Sequence, residues 1–200
     1  MAIALRACVL AALTGAAVVS GSPDRLPAPL NVRAETPAEV RAERLDALFS
    51  RLKIIRDETE ADAAVAEIWQ LWMKSSRNDI DTLMQHAVTY IAVGHLEWAL
   101  RTLDQVVERA PDYAEGWNKR ATVLYVLGQH PRALADIEKV LTLEPRHFGA
   151  LAGRGLIHAA AERWREAFDA YMQALVHNPF LKERHGLIPL LEKKAGLRPL

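Results

Sequence analysis

Three prolines stand 34 residues apart, at Pro111, Pro145 and Pro179. Ala99, Ala133 and Ala167 keep the same interval. So do Leu103, Ile137 and Tyr171, and after them Val106, Val140 and Ala174. This period constrains the chain more than any local pattern does. A unit of that length with two apolar helical stripes cannot bury both by itself, so it must stack on its own copies. The expected architecture is all-α and quasi-one-dimensional.

The clearest unit is 114–147, with Trp117, Ala121, Leu124, Gly128, Ala133, Ile137 and Pro145. Before it, 80–113 carries Leu83, Ala87, Tyr90, Gly94, Ala99, Leu103, Val106 and Pro111. After it, 148–181 carries Leu151, Gly155, His158, Ala167, Tyr171, Ala174 and Pro179, with Glu162 in place of a turn glycine. Spacing and residue types resemble the tetratricopeptide repeat (TPR). The resemblance implies a right-handed solenoid of helix–turn–helix hairpins. Small residues would let backbones approach, and large ones would fill the gaps between hairpins. The phrases AEGWNKRA and EPRHFGAL also resemble an exported TPR family of bacteria, mostly alphaproteobacteria, with no assigned activity. His86, Arg120 and Arg154 depart from the pattern, standing where the family has an apolar or small residue.

The flanks read differently. Residues 1–21 carry Arg6, an uncharged stretch from Cys8 to Ser20, and small residues Val18, Ser20 and Gly21. That is the layout of a cleaved secretory signal peptide, with cleavage near Ser20–Ser22; an uncleaved anchor is the alternative. Residues 22–36 hold Pro23, Pro27 and Pro29 and read as an extended tether. Thr36-Pro37-Ala38-Glu39 forms a capping box. Leu45, Leu48, Phe49, Leu52 and Ile55 then recur at helical spacing. A break at Asp57–Glu60 precedes a helix with Val65, Ile68, Trp69 and Trp72 on one face. We read 37–79 as a degenerate N-terminal hairpin. Residues 182–200, with Leu187, Ile188, Leu190 and Leu191, read as a C-terminal cap whose helix Pro189 shortens or kinks.

The TPR resemblance places a ligand groove along the first helix of each repeat. It gives Asp81, Met84, Gln85, Val88 and Ile91 in the first unit. The second supplies Glu115, Asn118, Lys119, Thr122 and Tyr125, and the third Gly149, Ala152, Gly153, Leu156 and Ala159. Asn118 and Lys119 could hold a peptide backbone and a carboxylate, or simply be solvated. Gly149, Ala152 and Gly153 could admit a partner helix or pack between neighbouring repeats. Asp112 and Glu115 read as an Asp-led capping box. His86 and His158 read as packing histidines, and Arg146-His147-Phe148 as loop structure that could carry function. Trp98 and Trp164 are candidate exposed anchors.

Formal net charge is zero, which lacks the basic footprint of a nucleic-acid binder. The single cysteine, Cys8, falls in the signal segment, so the mature chain would hold no disulfide or thiolate metal site. No histidine pair has the i, i+4 spacing of a helical zinc site. No nucleophile elbow or phosphate loop is present. The expectation is a non-enzymatic adaptor or scaffold of the bacterial cell envelope, without metal or cofactor. It would bind a peptide or helix of a protein partner. A hydrolase of unrecognised type and a self-assembling structural protein are the alternatives.

Overall fold

A computed structural model of the chain describes residues 36–197. The proposed signal peptide and nearly all of the tether lie outside the described residues, as do the last three residues of the cap. The described residues form helices and no strands. In chain order these are α1 (Pro37–Leu52), α2 (Glu58–Trp72), α3 (Asn78–Ala92), α4 (Leu96–Arg109), α5 (Ala114–Val126), α6 (His130–Leu143), α7 (Phe148–Ala160) and α8 (Trp164–His177). A short 3₁₀ turn, Lys182–His185, leads to α9 (Leu187–Lys194).

Helices α3–α8 are the three periodic units. Ala99, Leu103 and Val106 of α4, and Ala133, Ile137 and Val140 of α6, share one buried core with Ala87, Ala121 and Leu124. Between the paired helices the chain must enter left-handed backbone. Gly94 (φ 78°) and Gly128 (φ 73°) do so without steric cost, but Glu162 (φ 57°) bears a Cβ there. That conformation costs a non-glycine residue about 1 kcal/mol.

The three exceptions to the repeat pattern have separate outcomes. Arg120 on α5 makes two 2.8 Å bonds to Asp136 of α6 and one of 2.9 Å to Asp104 of α4. Its guanidinium also stacks 4.8 Å over Trp117. The charge is therefore paired between two second helices, and the Asp136 hydrogen bond raises the Arg120 pKa most. Arg154, one period on, reaches Glu138 at 3.3 Å and Gln173 at 2.6 Å. His86, one period back, is exposed, so its reading as a packing histidine is corrected.

The N-terminal hairpin is present, and its packing adds something the sequence did not state. Thr36 accepts from the Glu39 amide and Glu39 accepts from the Thr36 amide, the expected capping box. Asp57 caps α2 through the Glu60 amide. The buried face of the hairpin (Leu48, Phe49, Leu52, Ile68 and Trp72) shares a core with Phe148 and Leu151 of α7, Ala174 of α8 and Leu181. It thus lies against the third repeat, although the chain leads from it into the first. The connection passes through Ser76, held at φ 68°. At the other end, Ile188 and Leu191 of α9 cover Ala167 and Tyr171. Pro189 sits in the first turn of α9, where its missing N–H has no helical partner to lose, so it does not kink the helix.

Candidate partner-binding groove

The face assigned to a ligand is partly occupied by the chain's own second helix. Trp69 of α2 lies so close to Gly149 that a Cβ there would stand 2.5 Å from the indole Cη2. Lys119 of α5 extends its ammonium 5.5 Å from the Trp69 ring. Trp72 stacks on the His147 imidazole with centroids 4.0 Å apart and planes 10° from parallel. Phe148 meets Trp69 edge-on at 5.4 Å and Phe49 at 6.4 Å. Arg146 reaches over Phe49, 4.5 Å from the ring, and pairs with Asp46. Farther along, Arg184 pairs with Glu58. Arg146-His147-Phe148 is therefore the platform on which α1 and α2 rest. The sequence reading left this stretch open because nothing local distinguishes it from loop. Phe148, where the preceding unit has Ala114, was the signal available.

Beneath α2 lies a fully enclosed polar pair. His147 is the N-cap of α7, and its Nδ1 accepts from the Ala150 amide at 3.1 Å. That lone pair must be free, so the ring proton sits on Nε2, which donates to Glu115 Oε2 at 2.9 Å. Asn118 Nδ2 donates to the same oxygen at 2.9 Å, and Lys119 pairs with Oε1 at 3.0 Å. Burial pushes the Glu115 carboxyl up. The His147 bond and the Lys119 ammonium outweigh it and hold the carboxyl below the usual 4.5. Glu115 does not close a capping box with Asp112. The N-cap is Tyr113, which makes no side-chain cap, and Glu115 is instead drawn into the core by His147 and Lys119. Of the predicted groove groups, then, Glu115, Asn118 and Lys119 are engaged with one another beneath α2.

Beside α2 the groove stays open. A cavity of about 390 Å³ is bounded by α2 through Val65 and Trp69, and by α5 through Asn118, Thr122 and Tyr125. Gly149, Ala152, Gly153 and Leu156 of α7 and the segment around Asn178–Glu183 close it. Its walls are mainly apolar, with Asp62, Lys182 and Glu183 among its charged lining. A Cβ on Gly153 would meet only Ile137 Cδ1, at an ordinary 3.6 Å. Gln85 and Val88 do not join it. They line a separate depression of about 520 Å³ with Met73, Asp81 and Met84. Trp98 is 57 % exposed beneath the Arg101 guanidinium, while Trp164 is half-buried with Lys194 over its ring.

Among the described residues no group of three or more His, Cys, Asp or Glu is placed to hold a metal ion. No described helix is long and apolar enough to cross a membrane. His158 is half-buried, with its Nδ1 enclosed and unpaired, and desolvation lowers its pKa.

Comparison with known proteins agrees with this architecture. The tetratricopeptide repeat family model matches residues 84–141 and 118–180. A TPR repeat-containing protein of Rhizobium etli is 39% identical over 157 residues, covering 78% of this chain and 77% of that protein. The chain belongs to the tetratricopeptide repeat proteins. Among solved structures, the TPR2B domain of yeast Sti1 in complex with an Hsp70 peptide has a TM-score of 0.53 at 20% identity. The match covers 60% of this chain and 98% of that one. A crystal structure of MamA has a TM-score of 0.56 at 19% identity, covering 78% of this chain and 85% of that one. At these identities both show the fold alone. Tetratricopeptide repeats mediate protein–protein interactions, a role typical of non-enzymatic modules.

Proposed function

We propose that the protein is a non-enzymatic adaptor that binds a peptide or helix of a protein partner along the faces of α5 and α7. The observation that carries this reading is the apolar cavity between α2, α5 and α7. It opens on the face where the family places its ligands, and it is large enough for a bulky apolar side chain. Asn118 and Asn178 add amide groups to its wall. The Asn118 Nδ2 is committed to Glu115, which leaves its carbonyl oxygen to accept from a peptide N–H. Asn178 Oδ1 accepts from the Phe180 amide, which leaves its NH₂ to donate. An amide acceptor and an amide donor suit a ligand with a polypeptide backbone. Peptide binding by the Sti1 domain supports the same class of ligand. The signal-like segment 1–21 supports export, and the resemblance to an exported bacterial TPR family supports the periplasm as the destination.

The test is a crosslinked pull-down from envelope extract with wild type and Gly153→Leu/Leu156→Glu. Leu on 153 grows into the cavity and Glu on 156 charges its wall. The expected result is a partner captured by wild type and lost from the folded variant. A partner kept by both would remove the cavity from the binding site.

A further inference from the structure

The hairpin meets the array through an interface that is imperfect at several points. Trp72 Nε1 is buried there and donates to no protein group. The chain enters α3 through left-handed Ser76, although serine bears a Cβ. Trp69 covers Gly149 but leaves the cavity beside it unfilled. The core shared by hairpin and platform is distinct from the core of the first two repeats. Two of the tethers are ion pairs with an exposed carboxylate. Asp46 is 68% exposed opposite Arg146, and Glu58 is 73% exposed opposite Arg184. Such pairs contribute little in water. A helix held this way fits its seat incompletely.

We propose that α2 is the resident occupant of a helix-docking site, and that a partner helix takes the site by displacing it. The resident defines the chemistry of its replacement. It presents two indoles three positions apart, Trp69 onto Gly149 and Phe148 and Trp72 onto His147. Its hairpin brings carboxylates to Arg146 and Arg184, while Lys119 faces the first indole. The partner segment is therefore an amphipathic helix with two large aromatic residues at i and i+3 and acidic residues on its flanks. Its larger side chains fill the space that α2 leaves. The competition lowers the affinity of every ligand by the fraction of time α2 is seated, which sets a threshold against weak partners. This inference rests on the protein-binding reading above and differs from it in one respect. A partner that binds beside α2 loses affinity when α2 is loosened, whereas one that replaces α2 gains it.

The experiment uses the full chain and a fluorescein-labelled peptide of residues 57–74, followed by fluorescence anisotropy. Circular dichroism checks that each variant is folded. Trp69→Ala/Trp72→Ala loosens the resident helix and leaves the platform intact. The expected result is peptide binding at least tenfold tighter than to wild type. Adding Gly149→Ala, whose Cβ would collide with the peptide's first indole, should reverse the gain. Asp46→Ala/Glu58→Ala releases the tethers without touching the buried core and should raise affinity in the same direction, by a smaller factor. Equal or weaker binding by both loosened chains overturns the proposal. So does sedimentation of the wild type as a stable dimer that Trp69→Ala/Trp72→Ala dissociates, since the occupant would then be a second copy's hairpin. These outcomes do not depend on the pull-down. Capture that survives cavity blocking removes the cavity from the binding site, whereas an unbound peptide sinks only the displacement.

Discussion

Gly153 and Gly155 lie two residues apart on α7, and the same substitution should move stability in opposite directions. Replacing a helical glycine by alanine removes backbone freedom from the unfolded chain and gains about 1 kcal/mol when the new methyl fits. At Gly153 it fits, because the Cβ meets only Ile137 Cδ1 at 3.6 Å. At Gly155 the Cβ would stand 2.6 and 2.7 Å from Tyr171 Cδ2 and Cε2, and 3.2 Å from the Ala167 carbonyl. The Tyr171 ring is 0% exposed and is held from outside by Ile188 and Leu191, so it has nowhere to retreat. Overpacking of this kind costs about 1–3 kcal/mol. Taking the upper figure, Gly155→Ala is about 2 kcal/mol less stable than wild type after the helix gain, by the same two terms. Gly153→Ala is about 1 kcal/mol more stable. The separation of about 3 kcal/mol corresponds to roughly 6–12 °C in Tm for a domain of this size. Urea denaturation followed by circular dichroism, with m compared between variants, measures it. Equal stability of the two variants would refute the claim that neighbour contacts decide these positions.

Three further outcomes are expected. Glu162→Gly relieves a Cβ in left-handed backbone and should stabilise by up to about 1 kcal/mol in urea denaturation, matching the turns that already use Gly94 and Gly128. Arg120→Ala leaves Asp136 nearly buried without its bidentate partner and should cost about 2–4 kcal/mol, while Arg154→Ala, facing the exposed Glu138, should cost less than about 1 kcal/mol. Glu115 has its folded pKa depressed below 4.5, so it binds fewer protons folded than unfolded in that range. Its stabilising contribution is therefore complete above the unfolded pKa and is lost as pH falls through the folded one. Glu115→Gln should flatten the acid limb of the stability–pH curve below about pH 4.5, read by denaturation at a series of pH values; an unchanged limb counts against the buried pair.

The array was legible because its contacts repeat. Ala99, Ala133 and Ala167 solve the same steric problem three times, so the period itself announces them. The capping box at Thr36 and the half-turn placement of Gly94 and Gly128 are equally local. The three glycines of α7 near the groove were not separable in this way. In sequence Gly149, Gly153 and Gly155 look alike, yet they face an indole, an open cavity and a buried tyrosine. Only the neighbours distinguish them. Arg120 looked like a packing defect because its partners, Asp104 and Asp136, each lie 16 residues away on other helices.

The wall that the hairpin adds to the candidate site is built from contacts that break the period. Arg146 meets Asp46 across 100 residues, and Arg184 meets Glu58 across 126. Trp72 finds His147, and Trp69 finds Gly149, with no equivalent pair in the other repeats. A stacked array needs none of these contacts, since each repeat already buries its apolar face on its neighbours. Their presence removes two indoles and a phenylalanine from water at the face where a ligand would otherwise do so. In the displacement proposed above, the same surface has two guests, the hairpin and a partner, and the energy of one sets the affinity of the other. Family resemblance accounts for the shape of the groove. The proposed displacement puts its selectivity in these aperiodic residues, and mutating them while leaving the repeat intact is how the two contributions are separated.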